Sequence, residues 1–149
     1  MTLPKINVGR DILSDINTAL DREWLVTNGL GGYASSTILG INTRKYHGLL
    51  IAAFNPPVNR WVLLSKLDES LQIRNLSYDL GANEFSDVMH PTGYRFLSEF
   101  MLTPLPTFRY IANGFSLHKT ILMPYMKNAT AIIYKAINTT EEEDRKSVV

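Results

Sequence analysis

Apolar residues recur at helical spacing in one clear place, RDILSDINTALD (residues 10–21), where Ile12, Leu13, Ile16, Ala19 and Leu20 share a face. The spacing predicts one short N-terminal amphipathic helix of about three turns. Beyond it the pattern changes to alternating or continuous apolar runs. EWLVTN, YASSTILGI, RKYHGLLIAAF and RWVLLSKLDESLQI each read as a strand, as do RFLSEFML, TFRYIA, FSLHKTILM and NATAIIYKAI. NT parts the second run from the third, and NPPVN breaks the chain before the fourth, because proline lacks a donor and fixes its own φ. NG between TFRYIA and FSLHKTILM predicts a tight hairpin. Residues 74–94 are polar and irregular and read as the longest loop. YHGLLIAAF and WVLL are apolar on both faces, which predicts central strands covered on two sides.

Strands with little helix between them predict a mainly β protein: an antiparallel β-sandwich, taken as a single domain over residues 1–149. EEED at 141–144 reads as a solvated turn, and SVV at 147–149 as the first residues of another strand. An open sheet edge there suits pairing with a second copy.

Composition narrows the function classes. Hydrophobic residues make up 45% and charged residues 19%, which are globular values. Fifteen basic and 14 acidic side chains leave a net charge of +1, so nothing favours nucleic acid or an anionic membrane as a partner. Cysteine is absent, which removes disulfides, thiolate zinc sites and a Cys nucleophile, and suits a reducing compartment. The N-terminus lacks a signal-peptide apolar core, and GLLIAAF is far too short to span a bilayer. A cytoplasmic location is the expectation.

The chemistry-bearing stretch is NGLGGYASSTILGINTRKYHG (residues 28–48). Its glycines lack the Lys-Ser/Thr of a P-loop and the strand–helix context of a dinucleotide fingerprint, so they read as a tight turn needing positive φ. No cofactor is expected. Along an extended strand, Arg44 and Tyr46 would share one face, and Lys45 and His47 the other. His90 and His118 lie far from His47 in sequence, so no metal site is expected. Ser35 or Ser36 with His47 and Asp68 formally allows a hydrolytic triad, but no G-x-S-x-G elbow accompanies it. Asp68 and Glu69, adjacent on the expected strand, would point to opposite faces. Glu23 and Glu99 remain conceivable partners across a sheet, with nothing in the sequence to place them. No catalytic pair is assigned. Tyr33 and Tyr46, beside glycines and polar groups, suit a rim where flat rings meet sugar faces.

The blocks REWLVTNGLGGYASSTILGINTRKYHGLLIA, PPVNRWVLLSKLDE, HPTGYRFLSEFMLTPLPTFRY and HKTILMPYMKNATAIIY resemble the N-terminal domain of the bacterial and archaeal type of glycogen debranching enzyme. The resemblance runs from about residue 6 to the end of the chain. It implies a β super-sandwich of galactose-mutarotase-like shape joined to a C-terminal helical toroid. That toroid would carry the amylo-α-1,6-glucosidase site and both catalytic acids. On this view the chain stops part-way through the sandwich, lacks the toroid, and hydrolyses nothing alone. Asn28, Tyr33, Asn42, Arg44, Tyr46 and His47 then form one surface that binds substrate or contacts the catalytic domain, supplied in cis or in trans. Two other readings stay open: an independent module that binds glycogen-like α-glucan, and a structural or dimerising scaffold.

Overall fold

The computed structural model describes residues 5–85 and 88–138. The expected EEED turn and SVV strand lie outside the described residues. The chain begins with β1 (Ile6–Val8) and two short helices, α1 (Arg10–Leu13) and α2 (Ile16–Leu20). The single predicted helix is therefore divided. Asp15 is the reason: its carboxylate accepts the Thr18 N–H at 3.3 Å and the Thr18 hydroxyl at 2.9 Å, capping α2 instead of continuing α1. The apolar spacing still marks the packed face, with Leu13 and Ala19 buried.

Twelve further strands follow among the described residues. The first four are β2 (Glu23–Thr27), β3 (Tyr33–Thr37), β4 (Gly48–Asn55) and β5 (Val58–Leu64). Next come β6 (Ser70–Ile73), β7 (Leu76–Asp79), β8 (Ala82–Phe85) and β9 (Val88–Thr92). The last four are β10 (Leu97–Leu102), β11 (Pro106–Ala112), β12 (Phe115–Leu122) and β13 (Ala131–Asn138). A five-stranded sheet runs β1-β10-β11-β12-β13 and a four-stranded sheet runs β2-β3-β4-β5, with every pairing antiparallel.

The two sheets face each other across one core, as the alternation predicts. Trp24 of β2 meets Phe108 of β11 edge-on at 6.3 Å between ring centres, and Phe100 and Tyr110 flank Phe108. The Trp24 indole N–H donates to the Thr37 carbonyl at 3.0 Å, so the ring is buried without an orphaned donor. Because successive side chains on a strand alternate, burying Trp24 sends Glu23 and Leu25 to the outer face. The NG hairpin forms as predicted, with positive φ at both Asn113 (47°) and Gly114 (80°), the signature of a type I′ turn.

Five sequence expectations are corrected. YASSTILGI is strand only to Thr37, where the Thr37 hydroxyl donates to the Ile41 carbonyl and receives the Ile41 N–H, closing a loop. RKYHGLLIAAF is strand only from Gly48, so residues 44–47 form a turn and the two-face argument for them fails. RWVLLSKLDESLQI breaks after Leu64, because Lys66 and Glu69 turn aside to bond Ala82 and Lys119. WVLL is not central: β5 is an edge strand, with Trp61 60% and Leu63 53% exposed. Apolar content records that a strand suits cover, not which element supplies it. The expected 74–94 loop contains β7, β8, β9 and the start of a 3-10 turn at Gly93–Phe96. Its short hairpins carry polar residues that mask their strand character. Among the described residues, no helix is long and apolar enough to cross a membrane.

Candidate functional site

Glu23 begins β2 on its outer face, and the turn at residues 42–47 folds back over it. Three side chains of that turn converge on its carboxylate. Arg44 Nε donates to Oε1 at 3.1 Å, His47 Nε2 lies 2.7 Å from the same oxygen, and the Tyr46 hydroxyl reaches Oε2 at 3.2 Å. His47 is enclosed, and its Nδ1 accepts the backbone N–H groups of Thr43 at 2.9 Å and Arg44 at 3.1 Å. A nitrogen accepting two donors carries no proton, so Nε2 bears the hydrogen and donates to Glu23. The imidazole thus ties the turn's backbone to the carboxylate.

Partial burial pushes the Glu23 carboxyl upward, but the bonds from Arg44, His47 and Tyr46 together outweigh it and hold the group below the ordinary value of 4.5. A depressed carboxyl adds stability that is present above its unfolded value and lost as pH falls through its folded value. Glu23→Gln is therefore expected to flatten the acid limb of stability below about pH 5, measured as urea midpoints across a pH series. An unchanged acid limb would show that the cluster contributes nothing.

From Glu23 an open groove runs along the outer face of β2 and β3, with a volume of about 630 Å³. Leu25, Thr27, Tyr33 and Ser35 line it, Tyr46 closes one side, and Arg60 of β5 approaches from the other. The Tyr33 hydroxyl donates to the Tyr46 carbonyl at 2.9 Å, fixing the ring against the turn. Arg60 Nε donates to the Gly31 carbonyl at 2.7 Å, which leaves the guanidinium edge at the groove.

The glycine stretch is a tight turn, as its sequence suggests. Gly31 has φ of +94°, and a Cβ there would fall 2.5 Å from the Pro57 carbonyl oxygen. Asn28 holds this turn from within. Its Oδ1 accepts the N–H groups of Leu30 at 2.9 Å and Gly32 at 3.1 Å. Its Nδ2 donates to the Lys127 carbonyl at 3.0 Å and to Asn128 Oδ1 at 3.1 Å. Asn28 is fully buried with its polar atoms occupied, so it offers no free group to a ligand.

The six residues singled out in the sequence thus separate into two sets. Tyr33, Arg44, Tyr46 and His47 gather at the Glu23 end of the groove. Asn28 is inside the glycine turn, and Asn42 is spent on the Ser36 hydroxyl at 2.7 Å and the Ser65 carbonyl at 3.0 Å. Sequence reasoning missed Glu23 as the organiser and Arg60 and Leu25 as groove residues. Alternation about Trp24 would have placed Glu23 and Leu25 on the outer face. The formal triad is not assembled: Ser35 donates to the Trp24 carbonyl, Ser36 to Asn42, and Asp68 pairs with Lys66 at 2.9 Å. Glu99 lies on the other sheet beside Arg109, so it does not face Glu23. Glycoside hydrolysis by the common route needs two carboxyl groups about 5–9.5 Å apart. Among the described residues Glu23 is the one carboxylate lining the groove, and its bonding favours the ionised form over a proton donor.

A two-sheet antiparallel β-sandwich with an acid-poor, tyrosine-bearing groove on an outer face defines the class of this protein. The family model described as "Glycogen debranching enzyme N terminal" matches residues 22–146, and the chain belongs to that family. The matched span includes every residue named in the groove. Comparison with curated proteins and with solved structures returned no match.

Proposed function

We propose that this chain is the non-catalytic N-terminal module of an α-glucan debranching enzyme, and that its groove contributes a sugar-contacting wall to a catalytic site. An α-1,6-glucosidase domain, in cis or in trans, supplies the two acids. The sheets described above then form part of a galactose-mutarotase-like super-sandwich. The observation that carries this reading is the groove itself: an open channel with tyrosines, a guanidinium and a single saturated carboxylate. Such a lining can stack on and hydrogen-bond a sugar, but among the described residues it has no acid pair to cleave one.

Maltooligosaccharide binding, measured by calorimetry on the intact chain, tests it. The expected Kd is near millimolar, about −4 kcal/mol. Arg60→Ala is expected to weaken binding about fivefold while leaving the fold intact, because Arg60 is exposed and its one described side-chain hydrogen bond is to Gly31. Binding of equal strength in the variant would remove Arg60 and this groove from the account.

One observation favours a second reading, a structural scaffold. Val58, Trp61, Val62 and Leu63 of the edge strand β5 are all exposed, a surface suited to another β element or a second copy. Sedimentation separates the two: a monomer that binds glucan supports the first, and a dimer that ignores glucan supports the second.

A further inference from the structure

The outer face of the five-stranded sheet carries a feature that the groove does not use. Glu99, Arg109, His118 and Lys135 are paired in register across β10, β11, β12 and β13, forming one straight row. Side chains directly opposite on antiparallel strands have Cβ atoms about 4.5–5.5 Å apart. Arg109 and Lys135 therefore flank His118 on either side, two long cationic side chains around a shorter imidazole. Arg109 is already oriented: its Nε donates to the Ser116 hydroxyl at 3.3 Å. Glu99 holds Nη1 only loosely, at 3.7 Å. Lys135 is exposed and makes no hydrogen bond or ion pair among the described residues. The neighbouring Thr107 and Thr120 hydroxyls, 3.0 Å apart, continue the polar face.

We propose that the Arg109–His118–Lys135 row is an oxyanion site that takes a phosphoryl group, either free phosphate or a phosphate ester. A guanidinium fork, an ammonium and an imidazole N–H on three adjacent strands match a tetrahedral dianion better than a planar carboxylate, which one Arg alone can satisfy. The groups facing His118 from neighbouring strands are Arg109, Lys135 and Glu99. Burial first, then Arg109 and Lys135, push the imidazole below its usual range, with Glu99 opposing them. A bound dianion reverses that balance, so binding takes up a proton at His118. Affinity for an anion of fixed charge then falls as pH rises through the histidine range. The site lies on the opposite side of the sandwich from the glucan groove and stands whether or not that groove binds sugar.

The test is an amide NMR titration of the intact ¹⁵N-labelled chain. Sulfate is the dianion of constant charge, and chloride at matched ionic strength is the control. The expected result is saturable sulfate shifts centred on Arg109, His118 and Lys135, with affinity about threefold higher at pH 5.5 than at pH 7.5. Lys135→Ala should weaken sulfate about fivefold, and His118→Asn should abolish the pH difference while the spectrum stays folded. Inorganic phosphate and a hexose phosphate separate the sources: tighter binding of the ester names a sugar phosphate, and equal binding names free phosphate. Chloride shifts matching those of sulfate, or sulfate affinity indifferent to Lys135→Ala, would overturn the proposal.

Discussion

Replacing Lys119 with alanine is expected to destabilise the protein by about 3–5 kcal/mol, the usual cost of removing one member of a buried ion pair. Lys119 is 8% exposed, on the core side of β12, and its Nζ lies 2.6 Å from Glu69 Oε2. The same oxygen accepts the Tyr134 hydroxyl, and the ammonium sits 5.9 Å from the centre of the Phe108 ring. Burial, and after it the bond to Glu69, push the Tyr134 hydroxyl above its usual range, so it stays a donor at any physiological pH. Glu69 belongs to the link between β5 and β6, so this one carboxylate ties that link to β12 and β13. Deleting the ammonium leaves Glu69 charged, largely enclosed and served by one neutral donor. Urea unfolding measures the loss. The double variant Lys119→Met with Glu69→Leu should recover most of it, because neither charge is then stranded. A single-variant loss under about 1 kcal/mol would mean that the pair is solvated like a surface bridge.

The second large effect is expected at Asn28. Truncation to alanine strands the N–H groups of Leu30 and Gly32 and frees the Lys127 carbonyl. An unsatisfied buried donor costs about 1–3 kcal/mol, and the Gly32 N–H is buried, so a total near 3 kcal/mol follows. Asn28→Asp keeps the acceptor but sets a buried carboxylate oxygen against the Lys127 carbonyl and Asn128 Oδ1, two acceptors, and should cost more. Thermal unfolding distinguishes the two. Because Asn28 was an expected sugar contact, the readout matters beyond stability. A stable Asn28→Ala protein with impaired glucan binding would restore it to the site and contradict its structural role.

Much of this fold is legible in residue order where local chemistry decides. Asn113–Gly114 demands positive φ twice, and the hairpin forms there. Alternation in TFRYIA and FSLHKTILM puts Phe108, Tyr110, Leu117 and Ile121 in the core. Legibility fails where a distant partner decides. Arg44–His47 has the look of a strand, yet Glu23, more than twenty residues earlier, gathers it into a turn. Residues Ser65–Glu69 continue an apolar strand on paper but are pulled out of it by Lys119 and Ala82. The candidate site was half visible for the same reason. Residue types name the tyrosines, Arg44 and His47, and Glu23 is visible as an acid, but nothing in residue order links that carboxylate to the turn it assembles. Asn28 and Asn42 look like ligand groups by type and are consumed by backbone and neighbouring side chains.

The most direct measurement is the map of amide shifts produced by maltooligosaccharide on the ¹⁵N-labelled chain, with glucose release from branched limit dextrin followed in the same samples. The account predicts saturable shifts at Leu25, Thr27, Tyr33, Tyr46 and Arg60, and no glucose. Shifts confined to another face, or glucose released by the chain alone, would contradict it.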